Sequence, residues 1–287
     1  MLAQGLVILS QNDADAPALP AIATVSKDDS GDDGGYALGA QAAARGALWC
    51  DRPYFTGNPT SEWLLEQIDW ATDDGCRAVQ IGNELNLDLE GWQGGSASYD
   101  ALYAELRAAR PEATLLYHPP SPGVAGWQAW VAVDQPAYAV HAYGTADQMR
   151  AVVQWYLDNT AGSLWVTECK FGAGQTADID AWAEQELRPF LDWCAAQPRV
   201  QMCAVFAWRW NESATLPSSI DAKGSDVPEV LAAWVPPMNG GSEPPPAFSV
   251  DAVRDDLWRQ AELLEANGWE WFGQGIKALT SLSKGER

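Results

Sequence analysis

Basic side chains are scarce in this sequence: 17 Lys and Arg stand against 39 Asp and Glu, for a formal charge of −22. Such a surface repels phosphate backbones and anionic lipid, which argues against nucleic-acid and membrane partners. Acidity of this size also serves solubility or a salty habitat, so it excludes more than it identifies. Histidine is scarcer still, with His118 and His141 alone. A metal centre draws on several converging His and carboxylate ligands, so neither a metal nor a cofactor is expected. The five cysteines (Cys50, Cys76, Cys169, Cys194, Cys203) form no CxxC pair and are odd in number. Several lie inside apolar runs, where Cys behaves as a small buried hydrophobe, so mostly free thiols are expected. No apolar run approaches the roughly 18 residues of a membrane span. The opening Met1 to Ser10 carries an apolar patch without a basic flank and reads as a strand rather than a signal peptide. The expectation is a cytoplasmic protein, or one released without a signal sequence.

What is present is an ordinary globular composition, 47% hydrophobic and 20% charged over 287 residues. That length fits one large α/β domain, or a barrel with a small appendage. Tryptophan is abundant, with 16 residues. Beyond filling a core, Trp offers a flat apolar platform with one polar edge, a surface suited to a sugar face.

Short β-rich runs alternate with amphipathic helical stretches. The strands expected are 6–10, 22–27, 47–50, 78–81, 114–118, 138–143, 164–167 and 202–208. Helices are expected near 36–45, over 62–72, 99–110, around 127–133 and 149–156, over 179–196, and near 228–233. Thr60 or Ser61 caps the helix at 62–72 and Pro111 stops the one at 99–110. Eight strands, most followed by a helix, predict an α/β fold of the (β/α)₈ TIM-barrel type. Only Gln11 to Ala21, with Pro17 and Pro20, separates the first two strands, so the first β/α unit is degenerate or the first strand is misplaced. The barrel would occupy 1–235. Residues 236–249 form a Pro/Gly/Ser linker, and 250–287 a C-terminal helical tail with Val250, Val253, Leu257, Ala261 and Leu264 on one stripe. The tail is too small for its own core. It packs back on the barrel, mediates oligomerisation, or docks on another surface.

A barrel of this type carries its chemistry at the C-terminal ends of the strands. Those ends collect Asp51-Arg52, Asn83-Glu84, Tyr117-His118, His141 with Tyr143, Glu168, and Trp208-Arg209-Trp210. Two carboxylates across a cleft are what glycoside hydrolysis uses: one protonated to assist the leaving oxygen, one ionised to attack the anomeric carbon or activate water. Nearby cations and hydroxyl donors hold the second ionised.

The motifs Ile81-Gly82-Asn83-Glu84-Leu85-Asn86, His141-Ala142-Tyr143, Val166-Thr167-Glu168 and Phe206-Ala207-Trp208 together resemble clan A of the glycoside hydrolases. These are the retaining (β/α)₈ enzymes that include cellulases, mannanases and xylosidases. The resemblance is carried by residues 76–210. It implies Glu84 as acid/base, Glu168 as nucleophile, Asn83 on the sugar 2-hydroxyl, and Tyr143 donating to Glu168. It further implies His141 lining the same subsite and Trp208 as the sugar floor. Clan A usually places an Arg at the end of strand two, where this chain has Ser26-Lys27-Asp28. Either Arg52, one strand later, takes that place or the strand count is shifted by one. His118 is a further candidate for substrate contact, whereas Trp92, Trp127 and Trp210 read as loop packing.

The stretch Asn83 to Trp92, with Ser121-Pro122-Gly123 and Gly126-Trp127, also resembles compact clan A-like hydrolases of phages and environmental bacteria. The partner so implied is an oligosaccharide or polysaccharide, β-linked and largely neutral. A phage-type hydrolase of cell-wall glycan is one alternative. A non-catalytic glycan-binding barrel is another, since a structural role for each polar residue is open.

Overall fold

The computed structural model describes residues 3–8, 23–28, 39–41, 43–44, 46–171, 178–206, 227 and 230–231. The chain divides into two units, Met1–Pro237 and Met238–Arg287. The second unit, with most of the expected linker and all of the expected tail, lies outside the described residues. So does the segment joining the first two strands, and with it the degenerate first unit.

Eight strands run in chain order: β1 (Ala3–Ile8), β2 (Ala23–Asp28), β3 (Leu48–Pro53), β4 (Ala78–Gln80), β5 (Leu115–Leu116), β6 (Ala137–Tyr143), β7 (Ser163–Lys170) and β8 (Val200–Val205). All pairings are parallel, in the order β5-β4-β3-β2-β1-β8-β7-β6. The outer members of that order meet at one further parallel bridge, Tyr117 with Tyr138. There Tyr117 N donates to Ala137 O (3.0 Å) and Ala139 N to Tyr117 O (2.9 Å).

The strands read as apolar runs because both faces are buried. Cys50, Ala78, Leu116, Ala139, Trp165, Met202 and Ala204 form one cluster. Trp49, Val79, Tyr138, Val140, Val166 and Cys203 alternate with them and pack with the helices. These helices are α1 (Ser61–Asp73), α2 (Gly95–Ala109) and α3 (Ala146–Asn159). Thr60 caps α1, its hydroxyl accepting from Trp63 N at 3.2 Å. Thr145 and Gln148 form a capping box on α3. A 3₁₀ turn, Trp127–Trp130, stands between β5 and β6 in place of a full helix.

The helical stretch after β7 differs from expectation. It runs through Ile179–Trp182, a π-helical turn at Ala183–Leu187, and Arg188–Ala195. Pro189 lacks the N–H an uninterrupted α-helix would use, and the wider turn before it absorbs the defect. All five cysteines are buried and free. No helix among the described residues is long and apolar enough to cross a membrane.

Candidate active site

The alternation of each strand decides which polar groups share a face with the Cys50–Ala139–Ala204 cluster. On β3, Cys50 faces inward and Trp49 outward, so Arg52, two residues on, also faces inward. It is 1% exposed. On β6, Ala137 and Ala139 face inward, and His141 and Tyr143 continue that row. The His-x-Tyr spacing is the strand period.

β7 corrects one sequence expectation. Glu168 does not follow the strand; the strand continues to Lys170, and Glu168 lies within it. The pairing passes from Val140–Val166 directly to His141–Glu168, leaving Thr167 as an extra residue. This is a β-bulge. Val166 and Cys169 both pack on the helix side, three residues apart. Without the inserted residue Glu168 would turn outward with Val166. The bulge returns it to the inner row.

After β4 the chain turns sharply. Gly82 has φ 87°, and a Cβ there would lie 2.9 Å from Leu85 Cδ1. Glu84 follows at φ 43°, the one non-glycine with positive φ among the described residues. A side chain in this region is strained. Two backbone bonds hold it: Glu84 N to Pro119 O (3.0 Å) and Leu87 N to Glu84 O (2.8 Å). The Tyr99 hydroxyl braces the same corner, donating to Ile81 O (2.6 Å) and accepting from His118 N (3.1 Å).

These turns bring Glu84 and Glu168 to one point. The Tyr143 hydroxyl lies 3.0 Å from Glu84 Oε1 and 2.8 Å from Glu168 Oε2. Those bonds bound the nearest carboxylate oxygens to less than about 6 Å apart. His141 stands between the same groups, Nδ1 3.0 Å from Glu84 Oε1 and Nε2 3.6 Å from Glu168 Oε1. Arg52 Nη1 pairs with Glu168 Oε1 and donates to Asn83 Oδ1 at 3.1 Å. The cation that meets Glu168 is thus supplied by β3.

Burial pushes the Glu168 carboxyl upward, yet His141, Arg52 and Lys170 together hold it down at about 2. Lys170 comes from the same strand, its Nζ 4.9 Å from the Tyr143 ring centre and 4.8 Å from that of Phe206. Burial raises the Tyr143 phenol well above its usual range, and both carboxylates add to this, so the hydroxyl stays a donor. His118 is fully buried among Tyr99, Tyr117 and Trp130. Burial drives its imidazole down to about 3, which the nearby carbonyls of Pro119 and Trp130 offset only in part. Beside the pair, a cavity of about 560 Å³ is bounded by Ser121, Tyr143, Gln148, Val152, Lys170 and Phe171, among others.

Glu84, Glu168, Asn83, Arg52, His141 and Tyr143 are therefore brought together, whereas His118, two residues past β5, is buried among aromatic rings. Trp208, like Arg209 and Trp210, lies outside the described residues. Trp92 and Trp127 pack as expected, Trp92 donating to Gly95 O at 3.0 Å and Trp127 stacking on Tyr156. Two residues escaped the sequence reading. Lys170 was hidden inside an unrecognised strand extension. Glu90 was hidden in a turn, where it accepts from Asn83 Nδ2 at 3.2 Å and is 3% exposed.

The sequence matches no family profile and no curated protein. Solved structures match by shape. One is a GH113 β-1,4-mannanase, at 10% identity and TM-score 0.52, covering 81% of this chain and 98% of that one. A second is a GH128 subgroup IV endo-β-1,3-glucanase from Lentinula edodes, at 15% identity and TM-score 0.52, covering 80% and 98%. A third is a GH128 subgroup VII oligosaccharide-binding protein from Trichoderma gamsii, at 12% identity and TM-score 0.51, covering 79% and 94%. At these identities the likeness is one of fold: the chain shares the architecture of these carbohydrate-active proteins.

Proposed function

We propose that this chain is a retaining glycoside hydrolase, a closed (β/α)₈ barrel with a shortened first unit, that cleaves a β-linked, largely neutral glycan. The observation that carries this reading is the Tyr143 hydroxyl seated between Glu84 and Glu168. It draws the two carboxylates to within one hydroxyl of each other, which supports the about 5–5.5 Å spacing of double displacement over the wider spacing of inversion.

Glu168 is the nucleophile. Arg52, Tyr143 and His141 keep it ionised and aimed, so it attacks the anomeric carbon and forms a glycosyl ester as the glycosidic bond breaks. Glu84, with 14% of its side chain exposed against 6% for Glu168, gives its proton to the departing oxygen. It then takes one from the water that hydrolyses the ester. Asn83 holds the sugar 2-hydroxyl and His141 lines the same subsite, with Trp208 as its floor; His118, enclosed by Tyr99, Tyr117 and Trp130, supports the corner through its backbone N–H to the Tyr99 hydroxyl. The acidic surface favours a glycan without strong negative charge.

The fold alone does not separate this from glycan binding without turnover, since one of the matched structures is an oligosaccharide-binding protein. The intact, hydrogen-bonded carboxylate pair favours turnover. The test is a panel of aryl β-glycosides and β-glucans, mannans, chitin and peptidoglycan, with ¹H NMR of the first product. Retained anomeric configuration, lost in Glu168→Ala while sugar binding persists, is the expected result. An inverted product, or turnover unchanged in Glu168→Ala, would overturn the assignment.

A further inference from the structure

Asn83 has an amide whose two ends are nearly equal in shape, and only its partners decide which way it points. Its Oδ1 accepts from Arg52 Nη1 at 3.1 Å, and its Nδ2 donates to Glu90 Oε1 at 3.2 Å. A guanidinium can only donate, and a carboxylate can only accept. Turning the amide over would set N–H against N–H at one end and oxygen against oxygen at the other. The two charged partners therefore permit a single orientation.

Glu90 is itself held from several sides. It ends the 3₁₀ turn Asp88–Glu90, which Gly91 closes at φ 68°. Gly57 N donates to Glu90 O at 2.8 Å. Asn58 and Gln93 bond twice across the same junction, at 3.0 and 2.8 Å. A Cβ on Gly91 would meet Gly57 N at 3.3 Å, so the two loops approach as closely as glycine allows. Burying a carboxylate is costly unless it is bonded. Here the turn carries one to the base of Asn83 with 3% exposure. The groups Glu90, Asn83, Arg52 and Glu168 form one unbroken chain of contacts.

We propose that Glu90 is a positioning residue: by holding the Asn83 amide nitrogen while Arg52 holds the oxygen, it fixes which donor Asn83 offers to the sugar 2-hydroxyl. The proposal rests on the glycosidase reading for its kinetic consequence, but not for the geometry it asserts. Glu90→Gln keeps an acceptor at the site, and Glu90→Leu removes it at similar volume. On an aryl β-glycoside hydrolysed by the wild type, Glu90→Leu should lose about tenfold in kcat/KM, because the 2-hydroxyl contact strengthens in the transition state. Glu90→Gln should keep most of the activity. On the matching 2-deoxy glycoside, wild type and Glu90→Leu should be equal. The same loss on both glycosides, or none on either, would overturn the proposal.

A second measurement needs no turnover. The Asn83 side-chain amide resonances, assigned by their disappearance in Asn83→Asp, should move in Glu90→Leu and stay near the wild-type position in Glu90→Gln. Circular dichroism would confirm that both variants are folded. Unmoved resonances in folded Glu90→Leu would refute the positioning role whether or not the protein hydrolyses anything. Moved resonances in a protein that hydrolyses no glycoside of the panel would uphold the anchoring of Asn83 and retire the glycosidase reading instead.

Discussion

Replacing Arg52 by Met tests the electrostatic core of the site without any substrate. The guanidinium is 1% exposed and pairs with a Glu168 side chain that is 6% exposed. Water cannot replace it. Arg52→Met leaves a buried carboxylate with His141 and Lys170 beside it and strips one donor from Asn83 Oδ1. Breaking a buried pair in this way costs about 3–5 kcal/mol, and the orphaned Asn83 oxygen adds about 1 kcal/mol. The double variant Arg52→Met/Glu168→Gln removes the charge that needed compensation and should recover about 2 kcal/mol or more of that loss. Urea unfolding at pH 7, followed by tryptophan fluorescence, measures all four corners of the cycle. A coupling energy below about 0.5 kcal/mol would mean that the two groups do not meet in solution. The electrostatic account of Glu168 would then fail with it.

The pH dependence of stability gives a second measurement at the same residue. Glu168 sits below its unfolded value, so its contribution is fully present above about pH 4.3 and is lost as pH falls through about 2. That is about 3 kcal/mol. Wild type should lose it on acidification across that window, and Glu168→Gln should show a shallower decline; parallel curves would contradict the depressed carboxyl. Gly82→Ala places a Cβ 2.9 Å from Leu85 Cδ1 at φ 87°. It should cost about 1–3 kcal/mol of stability, lowering the unfolding midpoint, and displace Glu84; an unchanged midpoint and unchanged turnover would sink that view of the turn. Tyr99→Phe removes the hydroxyl that links Ile81 O to His118 N, and should cost about 1–3 kcal/mol with faster amide exchange at His118. Thr145→Ala breaks the α3 capping box and should cost about 1 kcal/mol without touching turnover, a control that separates stability from chemistry.

What the sequence disclosed followed from periodicity. Ala139, His141 and Tyr143 lie two apart, so their common face was readable, as was the Asn83-Glu84 corner after β4. The unreadable parts depend on pairing rather than pattern. The extra residue at Thr167 changes no composition and no apolar run, so Glu168 looked as if it followed its strand. Only the register with His141 shows it inside one. Lys170 was obscured for the same reason. The role of Glu90 depends on a turn closed by Gly91 against Gly57, and those partners lie in two loops of ordinary composition on either side of α1. Arg52 was visible as a strand-end cation, but the absence of its counterpart on strand two could be resolved only by the contact with Glu168.

The local supports also bear on the different parts proposed for two glutamates so close together. Glu168 receives Arg52, Nε2 of His141 and the nearby Lys170, on a strand whose bulge buries it. Glu84 receives the opposite nitrogen of His141, from a strained turn on the more exposed side. Tyr143 has a single hydroxyl hydrogen for two carboxylates. When it is given to Glu168, the Tyr143 oxygen is left to accept, and His141 Nδ1 lies 2.8 Å from that oxygen and 3.0 Å from Glu84 Oε1, within donating reach of both. The two carboxylates thus stand in unequal surroundings. Pairs set apart in this way are the ones that divide into base and acid. The unequal supply of cations, more than the spacing of the carboxylates, distinguishes this site from a symmetric pair sharing one proton.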